Sequence, residues 1–375
     1  MINMGIEDIL FDGETLFRDI GVFDPDYMPQ NYNHRTEQME GLAISIRPIF
    51  KNSRPVNTIV LGQCATGKTT AVKKMFSIIK ENKSNVVCSY INCQLNNTVY
   101  SIFSKIHKDV LGIEPPVSGL SITKLYQRII EGLNKKELNL FVAFDDIDYL
   151  FQNADVNKVF YDLLRVNEEY EGVKTGIFAI LSDIEFRFKL EKNVNTVFSP
   201  HEIIFPPYSY DETYDILLDR VKAGFFPNVL SNELLEEIAT HTYETGDLRV
   251  GINLLRVAGN IAESNASRSI EKDHVDEAIA KNISISLAQT LKSLSDEEVL
   301  LLKLIAKKDE VLDAKDVFNE FNEKTNLKYH KFNNILNKLE FLRLIDVKFT
   351  GKGTRGNARQ IILRFSTDEV NKCLL

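Results

Sequence analysis

Five short apolar runs punctuate the chain up to residue 205: Val56–Leu61, Asn85–Asn92, Leu138–Phe144, Thr175–Leu181 and Glu202–Phe205. Most are rich in β-branched and aromatic residues and carry little polar alternation, the pattern of strands buried on both faces. Between and after them apolar residues recur at intervals of three and four. This predicts helices over Lys68–Lys80, Thr98–Leu111, Ile122–Leu133, Ala154–Val166 and Asp211–Gly224. Such alternation predicts βαβ units on a largely parallel sheet, and so an α/β class. Residues 1–55 are mostly irregular and end in a helix expected over Gln38–Phe50.

From about Ser209 the strand signal stops. Helices are expected over Ser231–Tyr243, Asp247–Ser264 and Glu271–Ser284, making a small all-helical unit. Past Ile285 three more amphipathic segments follow: Asp296–Lys307, Asp313–Lys324 and Tyr329–Phe341. Ser295 with Glu298 three residues later reads as a capping box for the first of them. Strand-like Leu344–Phe349 and Gln360–Phe365 then flank a Gly- and Arg-rich tip, Thr350–Arg359. Three helices and a basic hairpin are the layout of a winged-helix domain. The expected division is therefore 1–55, 56–208, 209–284 and 285–375.

Composition adds two points. At 375 residues the chain exceeds one ordinary core, and its 44% hydrophobic and 26% charged content is that of globular proteins. The start, Met1–Gly5, lacks a basic region before an apolar run, and no stretch is long enough to cross a bilayer, so neither a signal peptide nor a membrane partner is expected. Cys64, Cys88, Cys93 and Cys373 show no C-x-x-C spacing, which fits a reducing cytoplasm without structural disulfides or zinc. The second point is charge. The net value of −8 conceals residues 285–375 with 16 basic and 13 acidic side chains, leaving 29 against 40 elsewhere. Within Lys324–Arg364 ten basic residues face two acidic ones. An acidic body with a basic C-terminal stretch points to a dedicated polyanion-binding surface.

The sharpest chemical signal is Gly62-Gln63-Cys64-Ala65-Thr66-Gly67-Lys68-Thr69, which fits the phosphate-binding loop G-x-x-x-x-G-K-[ST] between an expected strand and an expected helix. Glycines let the backbone curl so that its N–H groups point at phosphate oxygens, at a helix N-terminus that favours negative charge. Gly62, Cys64, Ala65, Thr66, Gly67, Lys68, Thr69 and Thr70 are the candidate nucleotide contacts. Lys68 is placed to meet the β- and γ-phosphates and the Thr69 hydroxyl to hold Mg²⁺. Cys64 reads as a small tolerated side chain rather than a redox switch. The run Leu138–Phe144 ends in Asp145-Asp146-Ile147-Asp148. Asp145 can hold Mg²⁺ through water, and Asp146 falls where a general base would polarise the attacking water. Ser182, after Thr175–Leu181, could orient that water, and Arg249, in Gly246-Asp247-Leu248-Arg249, could reach the γ-phosphate and couple nucleotide state to the angle between units. ATP or ADP with Mg²⁺ is the implied cofactor.

Taken together these motifs resemble an AAA+ ATPase, and more narrowly the archaeal replication-initiator family related to the origin recognition complex and the cell-division-cycle helicase loader. Asn33-His34-Arg35-Thr36-Glu37-Gln38 is similar to the family's H-R-E-x-Q entry to the adenine pocket. Phe205-Pro206-Pro207-Tyr208 leading to Ile216-Leu217-Leu218-Asp219-Arg220 is similar to its F-x-P-Y…I-L-x-x-R stretch, and Gly246–Gly259 to its sensor-2 helix. The resemblance implies a P-loop module with a parallel sheet, a helical lid and a C-terminal winged helix. It adds His34, Arg35, Tyr208 and Arg220 to the nucleotide contacts. The chain departs from the family at three positions: Asp146 for Glu, Ser182 for the sensor-1 Asn, and Asn193 at the arginine-finger position. Binding is expected to survive these changes and hydrolysis to slow, since a finger contributes about 10³–10⁵ in rate where it operates.

The winged-helix layout implies that Tyr329–Phe341 enters the major groove with Tyr329, His330, Lys331, Asn333 and Asn334, while Lys352, Arg355 and Arg359 of the wing meet the backbone or minor groove. By resemblance, an insertion near Asn96–Leu111 adds Lys105, His107 and Lys108. The expected protein is a nucleoid-associated, ATP-binding initiator with weak ATPase activity. It is expected to bind duplex origin DNA, to recruit or load the replicative helicase, and to meet other initiator copies. Two alternatives stand beside it. One is a nucleotide-switch signalling ATPase with an internally packed winged helix. The other is a clamp-loader-like motor, which would demand the finger that Asn193 lacks.

Overall fold

The computed structural model describes residues 15–30, 32–82, 85–116, 120–150, 155–170, 172–182, 190–307, 311–342, 344–353 and 356–365, with Thr367, Val370 and Cys373. The chain divides into two compact units, Met1–Ile270 and Glu271–Leu375.

Strands β1 (Thr58–Leu61), β2 (Val86–Asn92), β3 (Asn139–Asp145), β4 (Thr175–Leu181) and β5 (His201–Ile204) make a sheet in the order β2-β3-β4-β1-β5. Every pairing is parallel, with Thr58 opposite Phe178 and His201, and Leu140 opposite Thr175. The period-2 side-chain alternation sorts residues into two cores. Leu140, Val142 and Phe144 face a cluster built with helices α3 (Val99–Leu111), α4 (Ile122–Lys135), α5 (Val156–Leu164) and α6 (Lys192–Phe198). Phe141 and Ala143 face the opposite cluster with α1 (Thr36–Ile46) and α2 (Lys68–Glu81). Burial on both faces explains why β3 and β4 are uninterrupted apolar runs.

The expected helix Gln38–Phe50 instead ends at Ile46 and continues as a 3₁₀ turn, Arg47–Lys51. Pro48 has no N–H for the helical ladder, which forces the change. The short helix α6 and the two-residue strand β6 (Leu312–Asp313) have no counterpart in the sequence pattern, because neither is long enough to show a period.

The helical part of the first unit holds α7 (Tyr210–Gly224), α8 (Asn232–Thr245) and α9 (Leu248–Ser264). Ser209 and Glu212 cap α7 reciprocally, at 3.2 and 2.9 Å. Residues near the N-terminus dock on these helices. Phe17 bridges to Phe225, and the N–H groups of Arg18 and Asp19 donate to the Gly224 carbonyl. The rings of Phe17, Phe23 and Phe225 pack with centroids 4.8–5.9 Å apart. Gly224 and Gly259 are glycines because a Cβ there would enter those rings.

In the second unit α10 (Lys272–Lys292) runs on through Ser284, where the sequence pattern predicts an end; no Gly or Pro intervenes to stop it. Helices α11 (Asp296–Ile305), α12 (Ala314–Thr325) and α13 (Tyr329–Phe341) follow, with a sheet in the order β6-β8-β7. The Ser295 N–H donates to Glu298 at 2.9 Å, as the capping box requires. Leu301, Phe321, Phe332, Leu336, Ile345 and Ile361 anchor its core. Strands β7 (Ile345–Gly353) and β8 (Gly356–Leu363) reach further than expected. Half of the expected ten-residue tip is paired, with Arg359 opposite Phe349, Lys352 opposite Asn357 and Gly353 opposite Gly356, and the register shifts between Phe349 and Lys352.

Candidate nucleotide and nucleic-acid sites

The loop between β1 and α2 is fixed by close approach. A Cβ on Gly62 would strike the Phe205 carbonyl oxygen. Gly67 has φ +91°, and the Tyr32 and Tyr208 hydroxyls stand 2.6 Å from where its Cβ would be. Ala65 is also left-handed, at φ 60°. The Lys68 ammonium donates to the carbonyls of Gly62 at 2.6 Å and Gln63 at 2.7 Å. Burial lowers its proton affinity, while the negative groups of Asp145 and Asp146 oppose that.

Asp145 ends β3 at 4% exposure. Its Oδ2 accepts from the Thr69 hydroxyl at 2.7 Å and from the Tyr90 hydroxyl. Burial raises its carboxyl above the ordinary range, and the hydrogen bonds from Tyr90 and Thr69 act against the rise. The phenol of Tyr90 is itself pushed up by burial and by Asp145, so it stays a donor. Asp146 is left-handed at φ 54°, and its carboxylate accepts from Gln94 Nε2 at 2.8 Å. Ser182 is exposed at the end of β4, its Oγ 3.8 Å from Cys64 Sγ. Thr69 and Asp145 are thus a hard-oxygen donor pair suited to Mg²⁺.

Arg35 is 2% exposed. Its guanidinium donates to the carbonyls of Thr66 (3.1 Å), His34 (2.9 Å) and Pro206 (2.7 Å) and lies 3.7 Å over the Tyr208 ring. The Tyr32 hydroxyl donates to Gly67 O at 2.6 Å. His34 faces Asp215 at 3.3 Å and Glu212 at 4.0 Å. Arg220 donates to Val22 O at 2.6 Å over the ring of Tyr27. Arg249 forks onto Asp247, which raises its proton affinity further.

Beside these groups lies a cleft of about 950 Å³. Of the residues singled out by sequence, Ala65–Thr70, Asp145, Asp146, Tyr208, Arg220 and Arg249 line it. His34, Arg35, Gly62, Cys64 and Ser182 are not on that lining. Sequence reasoning misses Tyr27, Tyr32, Lys73, Tyr90, Asn253 and Arg256, which are. Three of them carry a signal in helical spacing: Asn253 and Arg256 stand four and seven residues after Arg249, and Lys73 four after Thr69, each on the same helical face.

In the second unit Tyr329, His330, Lys331 and Asn334 are exposed on α13. Tyr329 packs edge-on to Phe318, and Lys331 pairs with Glu297 at 3.5 Å. Asn333 is half-buried and accepts from Arg359 at 3.4 Å. Lys352 sits on β7; Arg355 lies outside the described residues. In the first unit Lys105 pairs with Asp109 and Lys108 with Glu114, both at 2.6 Å, while His107 is 2% exposed with Nδ1 3.1 Å from Ile113 O. Asn193 is exposed on α6, its own Oδ1 accepting from the Val194 N–H at 2.9 Å.

A family model described as the Cdc6 AAA+ ATPase-type lid domain matches residues 214–280. The chain is 50% identical over 368 residues to ORC1-type DNA replication protein 2 of Methanothermobacter thermautotrophicus, covering 98% of this chain and 97% of the relative. It is 40% identical over 367 residues to ORC1-type DNA replication protein 2 of Methanosarcina mazei, covering 98% of each. Among solved structures, the Aeropyrum pernix ORC1 protein in complex with DNA aligns at TM-score 0.69 and 25% identity over 96% of each chain. The Aeropyrum pernix ORC2 protein in its ADPNP–ADP complexes shares the fold, at TM-score 0.74 and 24% identity over 96% of this chain and 97% of that one.

Proposed function

The chain belongs to the archaeal family of ORC1-type DNA replication proteins, and from that premise we propose that it is an ATP-binding initiator that recognises origin duplex DNA and recruits or loads the replicative helicase. Family membership displaces the signalling-ATPase alternative. The observation that carries the nucleotide half is the Thr69–Asp145 hydrogen bond at 2.7 Å in a cleft that also holds Lys68. Triphosphate chemistry needs a cation for its oxygens and a hard-oxygen pair for Mg²⁺, and the cleft has both. Bound Mg²⁺ would neutralise charge on the β- and γ-phosphates.

Turnover is slow in this reading. Asp146 is a short carboxylate engaged by Gln94, Ser182 replaces an amide, and Asn193 supplies no guanidinium. Nucleotide then acts as a switch, with Arg249 carried on the helix that lines the cleft. Duplex DNA is the partner of the basic α13 and wing, an assignment supported by the ORC1 relative solved with DNA. Recruitment of the helicase and contact with other initiator copies follow from the family reading, as does a location at the nucleoid. Among the described residues no helix is long and apolar enough to cross a membrane.

The test has two arms. Calorimetry should show ATP binding by wild type and none by folded Lys68→Ala; equal affinity would remove the site assignment. Footprinting on total genomic DNA at controlled salt should give discrete protected regions, and uniform protection would argue against origin recognition.

A further inference from the structure

We propose that Tyr90 is a positioning residue for Asp145, and that its phenol sets the affinity of this cleft for magnesium-bound nucleotide. The inference rests on the reading of the cleft as a nucleotide site. Tyr90 lies on β2 opposite Ala143 of β3, and Asn92, two residues on, lies opposite Asp145. Side chains two apart share a sheet face, so Tyr90 is the diagonal neighbour of Asp145, within reach of a long side chain. Its hydroxyl donates to the same Oδ2 that receives the Thr69 hydroxyl at 2.7 Å.

A carboxylate offers about four acceptor positions. Those of Asp145 receive Thr69, Tyr90 and the Asp146 backbone N–H. A buried carboxylate held from three sides keeps one orientation, with an acceptor position left for a metal-bound water. The ring is held in turn by Lys73, whose ammonium stands 4.8 Å from its centroid. Phenylalanine would keep the ring and that cation–π contact, so Tyr90→Phe removes the hydroxyl alone.

A hydroxyl that merely fills a polar site would affect all nucleotide binding equally; one that orients a metal ligand would not. The experiment is a titration of full-length wild type and Tyr90→Phe with a fluorescent ATP analogue, in Mg²⁺ and in EDTA, with thermal unfolding as a control for folding. The affinity gain that Mg²⁺ confers, read as the ratio of affinities with and without the metal, should fall by about 10–100-fold, as for other partners of metal ligands. Should Tyr90→Phe not fold, the pair Tyr90→Gln and Tyr90→Leu separates donor from ring, and the Gln variant should retain more of the gain. A full Mg²⁺ gain in Tyr90→Phe, or an equal weakening with and without metal, overturns the proposal. A wild-type protein with no Mg²⁺ gain at all would overturn the nucleotide reading itself, and this inference with it.

Discussion

The Arg35 guanidinium carbon lies 3.7 Å over the centroid of the Tyr208 ring, while the same guanidinium spans the carbonyls of Thr66 and Pro206. The pair joins the start of α1 and the segment after β5 to the phosphate loop. Arg35 therefore braces the glycine-rich loop through Thr66 from off the cleft lining.

Replacing Arg35 by Met should destabilise the first unit by about 1.5–3 kcal/mol, the usual contribution of a charge-assisted hydrogen bond, because buried carbonyls lose their donor. Lysine should rescue little, since one ammonium cannot reproduce the planar fork. Chemical denaturation of the three proteins checks this. A fully stable Arg35→Lys would mean that charge alone is needed.

Hydrolysis should be far below the roughly 10 s⁻¹ of a median enzyme, with ATP or ADP bound stoichiometrically. The reasons are the Asp146 carboxylate held by Gln94 at 2.8 Å, the exposed Ser182 hydroxyl and the missing guanidinium at Asn193. Single-turnover and steady-state assays measure it. A rapid ATPase independent of DNA would show that another arginine serves as the finger.

Acid should weaken the second unit through Glu298. Burial raises this carboxyl, but hydrogen bonds from Lys338, at 2.7 and 2.9 Å, and from the Ser295 N–H outweigh it and hold the group below its ordinary value. A depressed folded-state pKa contributes stability that is present above the unfolded value and lost as pH falls through the folded one. Thermal unfolding of wild type and Glu298→Gln from neutral pH down through the carboxylate range should therefore converge at low pH. A constant gap between the two would assign the effect to packing.

The sheet and the phosphate loop are legible in the sequence because both are local. Strands β3 and β4 are buried on both faces and spell themselves as apolar runs, and the loop is spelled by eight contiguous residues, Gly62–Thr69, even though the backbone that excludes a side chain at Gly62 is that of distant Phe205. What stays hidden depends on distant partners. Tyr90 and Asp145 are 55 residues apart, and nothing near Tyr90 marks it as a donor to a carboxylate. Phe17 and Phe23 read as scattered apolar residues in an irregular stretch until Phe225 gives them a partner. His34 and Arg35 are legible as a motif, but their places beside Asp215 and under the loop are not.

The proposal that the C-terminal unit reads duplex DNA is tested most directly by a salt titration of duplex binding. Arg359 of β8 reaches Asn333 of α13 at 3.4 Å, and the neighbouring Asn334 is exposed. Wild type, Arg355→Ala/Arg359→Ala and Asn334→Ala would each be titrated on a protected genomic site and a scrambled duplex. Neutralising the wing should weaken both duplexes alike and reduce the log–log salt slope by about 0.9 for each phosphate no longer neutralised. Asn334→Ala should instead cost about 1–3 kcal/mol of discrimination between the two duplexes if it pairs with a base edge. Unchanged affinity and slope after wing neutralisation would make the basic stretch a solvated surface and contradict the initiator account.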